Sequence, residues 1–243
     1  MKVFALLITL VFQINPANAS FSTTKVIGED ELTTVTADGS NVPAKFKVLL
    51  NAFGLISMGC TATHIGNGYV ITAGHCFYAP DTLTKKVGCP DVNIQWGMRE
   101  GLAPYLTSTC VEIVAEVRNK QSDFAIIKVS PVPSASVGLE LARKAQAGDL
   151  LTVFSHPEEL PLQWSKTCVV EATQHPKLPP DSLNHICDTN PGSSGATLLD
   201  VSTGRIVGIH DGGRLDSVGV GMNYGTYITN PDVADTLKEL GFK

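Results

Sequence analysis

Residues 187–196 read CDTNPGSSGA and set two hydroxyl side chains, Ser193 and Ser194, behind a Pro-Gly pair. A serine hydroxyl is a weak nucleophile until a base takes its proton. An imidazole does this best when a carboxylate fixes its tautomer and stabilises the imidazolium. By composition the stretch also fits a plain polar turn, because Asn, Pro, Gly and Ser are the commonest loop residues. The candidate partners lie upstream. GYVITAGHC, residues 68–76, puts His75 directly after an apolar run and a small-residue turn. QSDFAIIKV, residues 121–129, puts Asp123 directly before another. Each alone has an ordinary structural reading, as a surface histidine or a turn-forming aspartate. Together they supply the groups of acyl transfer through a nucleophilic serine.

Such groups need a rigid scaffold, and the chain predicts one made of strands. GYVIT (68–72), VEIVAEV (111–117), FAIIKV (124–129), LLTVF (150–154) and RIVGIH (205–210) are short β-branched or aromatic runs bounded by Gly, Pro, Asn and Asp. That spacing reads as an all-β sandwich or barrel. One helix is expected over about 231–241. Asn230 can cap it, Pro231 suits its first position, and Val233, Leu237 and Leu240 form an apolar stripe. SPVPSASVG, residues 130–138, reads as a linker between two β-units.

The 243 residues carry a formal charge of -5, with basic residues scattered, which argues against nucleic acid or an anionic membrane as partner. Residues 1–19 have the layout of an export signal: Lys2, an apolar run to about Ile14, then small residues at Ala17 and Ala19. The run is shorter than the roughly 18 to 20 residues of a spanning helix. A secreted protein, extracellular or periplasmic, without a membrane anchor after signal cleavage is the expectation. Cys60, Cys76, Cys89, Cys110, Cys168 and Cys187 all follow the signal and predict three disulfides, whose pairing the residues alone leave open. No C-x-x-C occurs, and His75-Cys76 lacks a matching pair, so neither metal nor cofactor is expected.

TAGHC, DFAII and PGSSGA, in the order His, Asp, Ser, resemble the catalytic motifs of the chymotrypsin-like serine peptidases. The order differs from the Ser, Asp, His of α/β-hydrolases, and Ala196 stands where their G-x-S-x-G elbow needs its last glycine. The resemblance implies an all-β fold of two six-stranded antiparallel β-barrels, about 26–130 and 139–230, with a C-terminal α-helix. It implies His75, Asp123 and Ser194 as catalytic residues. In the family's G-x-S-G pattern Ser194 is the nucleophile, Ser193 a loop residue, and the Gly192 and Ser194 N–H groups the oxyanion hole. Glycine suits position 192 because the backbone must come close to the substrate. Many animal members carry at 193 an aspartate that pairs with a new N-terminus, a partner Ser193 cannot be.

Within the family, residues 188–195 (DTNPGSSG) and 206–213 (IVGIHDGG) are similar to motifs of bacterial glutamyl endopeptidases, and KVIGEDE (25–31) resembles their mature start. A short pro-segment, 20–25, removed after Lys25 follows from this. Two specificities compete. Asp188 stands where trypsin-like members receive Lys or Arg, whereas Thr189 and His210 stand where glutamyl endopeptidases bind a substrate carboxylate. The second is favoured. Gly212 and Gly213 are expected to pair with substrate main chain as an added strand. The family disulfide beside the catalytic histidine pairs Cys60 with Cys76, Cys168 and Cys187 bracket the approach to the Ser194 loop, and Cys89 is left for Cys110. A monomer acting on proteins or peptides is implied. The alternative is a catalytically silent homologue serving as a binding module, whose usual sign, a missing triad member, is not seen here.

Overall fold

The apolar runs fold as strands, as their β-branched content and spacing require. In chain order they are β1 (Thr33–Thr34), β2 (Phe53–Ile56), β3 (Cys60–Gly66), β4 (Tyr69–Thr72), β5 (Asn93–Trp96), β6 (Leu106–Arg118) and β7 (Asp123–Ser130). β8 (Leu150–Ser155), β9 (Gln163–Trp164), β10 (Cys168–Val169), β11 (Leu183–His185), β12 (Thr197–Asp200), β13 (Ile206–Leu215) and β14 (Gly221–Tyr227) follow. Two helices, α1 (Ala44–Lys47) and α2 (Pro231–Glu239), complete the elements used below. The structure is a computed structural model and describes residues 26–78, 85, 87–172, 178–215 and 221–243. The expected export signal (1–19) and pro-segment (20–25) lie outside the described residues.

β2, β3, β4, β7, β6 and β5 close into an antiparallel barrel. Its pattern shows why the barrel needs a neighbour. Along β7, Ala125, Ile127 and Val129 point into the barrel core with Trp96 and Ile94, while Phe124 and Ile126 point the other way. That second face is covered by Phe154, Leu199, Ile206 and Ile209 of the other sheet and by Val233 and Leu237 of α2. A strand buried on both faces reads as a continuous apolar run, and FAIIKV does.

The second sheet has eight strands in the order β1-β9-β8-β12-β13-β14-β11, with β10 on β8. The expected second six-stranded closed barrel is therefore not what the strand ladders draw. Instead, the chain just past β10 meets β11 through a bridge at Val170 and His185, with the Glu171 N–H on the Asn184 carbonyl at 2.8 Å. β10 and β11 are two and three residues long, too short for a full ladder. The N-terminal segment also departs from expectation. Residues 33–34 pair with β9 of the second sheet, because Val35 is buried in the core shared with Phe154 and Leu162.

The cysteines form Cys60–Cys76, Cys89–Cys110 and Cys168–Cys187, the pairing the resemblance implied. α2 begins as its sequence dictates. Asn230 accepts the Asp232 N–H through its side chain, Pro231 occupies the first turn, and Val233, Ala234 and Leu237 are buried. It ends at Glu239, two residues short of the expected limit.

Candidate active site

His75 and Asp123 meet at a cleft between the barrel and the second sheet, whose Asp211 and Thr226 also line it. His75 lies in a 3-10 turn, residues 74–77, directly after β4. The turn is pinned by Phe77, fully buried in the barrel core, and by the Cys76 bond to the start of β3. Only glycine fits before the histidine, since a Cβ on Gly74 would lie 2.1 Å from the Val117 carbonyl oxygen and 3.0 Å from Asp123 Oδ1. That close approach lets Asp123, the first residue of β7, grip His75 twice. Oδ1 accepts the His75 backbone N–H and Oδ2 accepts from Nδ1, both at 2.7 Å. With the proton held on Nδ1, Nε2 is left as the basic nitrogen. The Cys60, His75 and Cys76 ligand atoms also cluster, but both sulfurs are consumed in the disulfide and offer no thiolate to a metal.

The serine loop separates its two hydroxyls by role. Ser193 is fully buried, with Oγ on Ser155 Oγ at 3.0 Å and accepting the Asn190 N–H at 3.2 Å. Ser194 is half-buried. The backbone alternates in the same way. The Ser193 N–H is spent on the Asn190 carbonyl and the Gly195 N–H on the His210 carbonyl, while the N–H groups of Gly192 and Ser194 have no acceptor among the described residues. Gly192 and Gly195, at φ +99 and +82, take left-handed backbone that a side chain would strain. A Cβ on Gly195 would come within 2.1 Å of Thr72 Oγ1 and 2.8 Å of the Ala73 nitrogen, which places the loop directly against the chain leading to His75.

Residues that sequence reasoning missed hold this geometry. Thr61 donates its N–H to the Ser194 carbonyl and its hydroxyl to the Gly192 carbonyl, both at 2.9 Å. Thr226 accepts the Asp123 N–H at 3.0 Å and donates to Asp211 Oδ2 at 2.8 Å. A cleft of about 550 Å³ opens beside His75 and Asp123, with Asp211 and Thr226 in its lining.

Among the specificity candidates, Asp188 faces the N-terminal segment. Its Oδ1 accepts the Ile27 N–H at 2.8 Å and its Oδ2 the Glu31 N–H at 2.7 Å, so both oxygens are occupied by the N-terminal segment. Burial raises its carboxyl, and those two N–H groups oppose the rise. Thr189 is fully buried, and its Oγ1 has no hydrogen-bond partner among the described residues. His210 is buried too, with Nδ1 3.1 Å from His185 Nε2. His185 Nδ1 accepts the Cys187 N–H, and burial, with His210 adding to it, holds His185 well below the ordinary range. His185 is therefore neutral, carries its proton on Nε2 and donates it to His210 Nδ1. The proton of a neutral His210 then sits on Nε2, as a donor. Gly212 and Gly213 pair with Tyr224 and Asn223 of β14, while β12 follows β13 only as far as Ile209, so their other edge is unpaired by any described strand.

Comparison with known proteins follows these lines. A family model described as a trypsin-like peptidase domain matches residues 60–209. The glutamyl endopeptidase of Bacillus licheniformis is 26% identical over 239 residues, spanning 92% of this chain and 71% of the relative. Among solved structures, a Glu endopeptidase in complex with MPD superposes with a TM-score of 0.65 at 21% identity, covering 88% of this chain and 98% of that one. The active form of a protease from M. tuberculosis gives 0.60 at 15% identity, covering 98% and 96%. The last two likenesses speak to the fold.

Proposed function

Because the chain belongs to the trypsin-like peptidase domain family, and is a serine endopeptidase related to the glutamyl endopeptidase branch, we propose that His75, Asp123 and Ser194 are its catalytic triad. The observation that carries this is the double grip of Asp123 on His75 at 2.7 Å. Ser194 Oγ attacks the scissile carbonyl carbon as His75 Nε2 takes its proton, and Asp123 stabilises the imidazolium. The oxyanion is held by the Gly192 and Ser194 N–H groups, whose lack of internal acceptors supports that role. Collapse breaks the C–N bond, His75 protonates the leaving amine, and water repeats the sequence on the acyl-enzyme. We read the second sheet as the family's second barrel. Substrate main chain adds along Gly212 and Gly213.

The residue on the acyl side of the scissile bond is Glu in this reading. A substrate carboxylate that loses water needs donors, since an unpaired buried charge is heavily penalised. Thr189 Oγ1 is a buried hydroxyl lacking a partner among the described residues, and the His185 to His210 bond directs the second proton of the pair to His210 Nε2. The competing preference for Lys or Arg loses its support with both Asp188 oxygens occupied.

The experiment has two arms. A serine-directed phosphonate is expected to label Ser194 and spare Ser193, and Ser194→Ala to abolish turnover while the fold persists; labelling at Ser193 overturns the assignment. For matched peptides ending in Glu, Gln, Lys and Arg, Glu should give the highest kcat/KM and His210→Ala should remove that advantage. If Lys or Arg wins and Asp188→Asn abolishes the preference, the basic specificity is right. Export directed by residues 1–19 and cleavage after Lys25 complete the reading. A chain starting at Val26 keeps the Ile27 contact to Asp188, and terminal sequencing of secreted active protein checks the start.

A further inference from the structure

The ladder between β13 and β14 carries one extra residue. Its register passes from His210 opposite Gly225 to Gly212 opposite Tyr224, which makes Asp211 the bulged residue. A bulge re-aims a side chain out of the sheet's alternation. Here Asp211 joins His75 and Asp123 in the lining of the same cleft. Its Oδ2 accepts from Thr226 Oγ1, the hydroxyl that also accepts the Asp123 N–H. Its Oδ1 is buried and has no hydrogen-bond partner among the described residues.

Resting on the triad reading above, we propose that Asp211 is a positioning residue for the His75–Asp123 pair. As the uncharged acid it holds Thr226 against the Asp123 amide and leaves Asp123 as the negative charge gripping His75. An ionised carboxyl in that place would hold a second buried negative charge beside Asp123 with no hydrogen-bonded cation among the described residues to offset it. Burial and the Asp123 charge together push the Asp211 carboxyl well above the usual carboxylate range, and the Thr226 hydroxyl opposes this only in part. Tyr224 on β14, itself pushed up by burial and by Asp211, adds no positive charge. His75 and Tyr78 border the cleft near the 3-10 turn, and Arg118 and Lys120 border it at and beyond the end of β6. Arg214, three residues along β13, is exposed. Neither Asp211 oxygen is hydrogen-bonded to a cation among the described residues.

The test compares wild type, Asp211→Asn and Asp211→Ala by kcat, KM, the acid limb of kcat/KM, and infrared spectra at neutral pH. Asparagine keeps an acceptor for Thr226 without a charge. It should retain kcat within about threefold and leave the acid limb within roughly 0.3 pH unit, while alanine lowers kcat about tenfold with KM little changed. Wild type should show the carbonyl band of a buried protonated carboxyl, and the asparagine variant should lack it. Three results overturn the proposal: an acid limb lowered by about a unit or more in Asp211→Asn, which would mean a charged Asp211; an alanine variant equal to wild type; or no such band. If the Asp211 variants do not fold, Thr226→Val and Thr226→Ser carry the comparison from the other end, valine losing kcat and serine keeping it. The band is read without turnover. A failed triad assignment, seen as activity surviving Ser194→Ala, is therefore distinguishable from a failed role for Asp211.

Discussion

Thr61 shows how much of a site can rest on one side chain that no motif marks. Its hydroxyl donates to the Gly192 carbonyl and accepts the His156 N–H, while its own N–H holds the Ser194 carbonyl, so one residue fixes both ends of the stretch from Gly192 to Ser194. Thr61→Val keeps the shape and removes the hydroxyl. Each buried backbone group left without its partner costs about 1 to 3 kcal/mol. The loop should loosen, kcat/KM should fall roughly tenfold or more, and Thr61→Ser should recover most of it. Peptide hydrolysis together with urea unfolding in a Ser194→Ala background checks both effects. His75, Asp123 and Ser194 could be singled out because each sits in a short local pattern whose chemistry has few other uses, and the structure joins the first two. Thr61 was not, because its partner Gly192 lies 131 positions away and a threonine in a strand is ordinary. Asp211 was passed over for a related reason, since its importance comes from a register shift that the residues GIHDGG do not announce.

Elements with several alternating residues were readable, and elements of two or three were not. FAIIKV and RIVGIH announced β7 and β13 through runs that two cores must cover. β1, β9 and β10 have two residues each, too few for any period, so the edges of the second sheet could not be read. The same short-range blindness hid the path of the N-terminal segment. It joins the second sheet at β1 and is clamped before that by Asp188 through Ile27 and Glu31. The role of Asp188 is thus to tie this segment to the loop that carries Thr189. Asp188→Ala should release amide protection at Ile27 and Glu31 in hydrogen exchange and lower stability by about 1 to 3 kcal/mol. The preference among acyl-side residues should keep its sign, since both carboxylate oxygens are engaged by the N-terminal segment. A variant that instead switches from Lys to Glu would restore the pocket role of Asp188.

At the scale of the whole molecule, the buried histidines set a limit on acid. His64 is held below its ordinary value by burial, with Nε2 accepting the Gly68 N–H, a bond only the neutral ring can make. Burial lowers His156 to about 4 and His185 well below 6.5. Below about pH 6.5 the unfolded chain therefore takes up protons that these three rings refuse, and the folded state loses stability as pH falls toward 4. His156 alone accounts for roughly 3 kcal/mol of that loss. Asp188 and Asp211 act in the opposite sense. Their raised carboxyls stay protonated in the fold above the unfolded value, so their contribution is full at low pH and fades as pH rises through the folded value. Three imidazoles outweigh two carboxyls, one of which is raised against two opposing hydrogen bonds. Well above pH 6.5 the histidine contribution is complete and only the carboxyl loss continues. Stability should therefore be highest near neutral pH, with the midpoint of thermal unfolding dropping between pH 6 and pH 4. Melting curves of the Ser194→Ala protein across that range, free of self-digestion, measure this. In the same background His156→Gln should melt lower at pH 7 yet show a shallower decline toward pH 4, because one proton has left the balance. A variant with an unchanged slope would mean that His156 is already protonated in the fold.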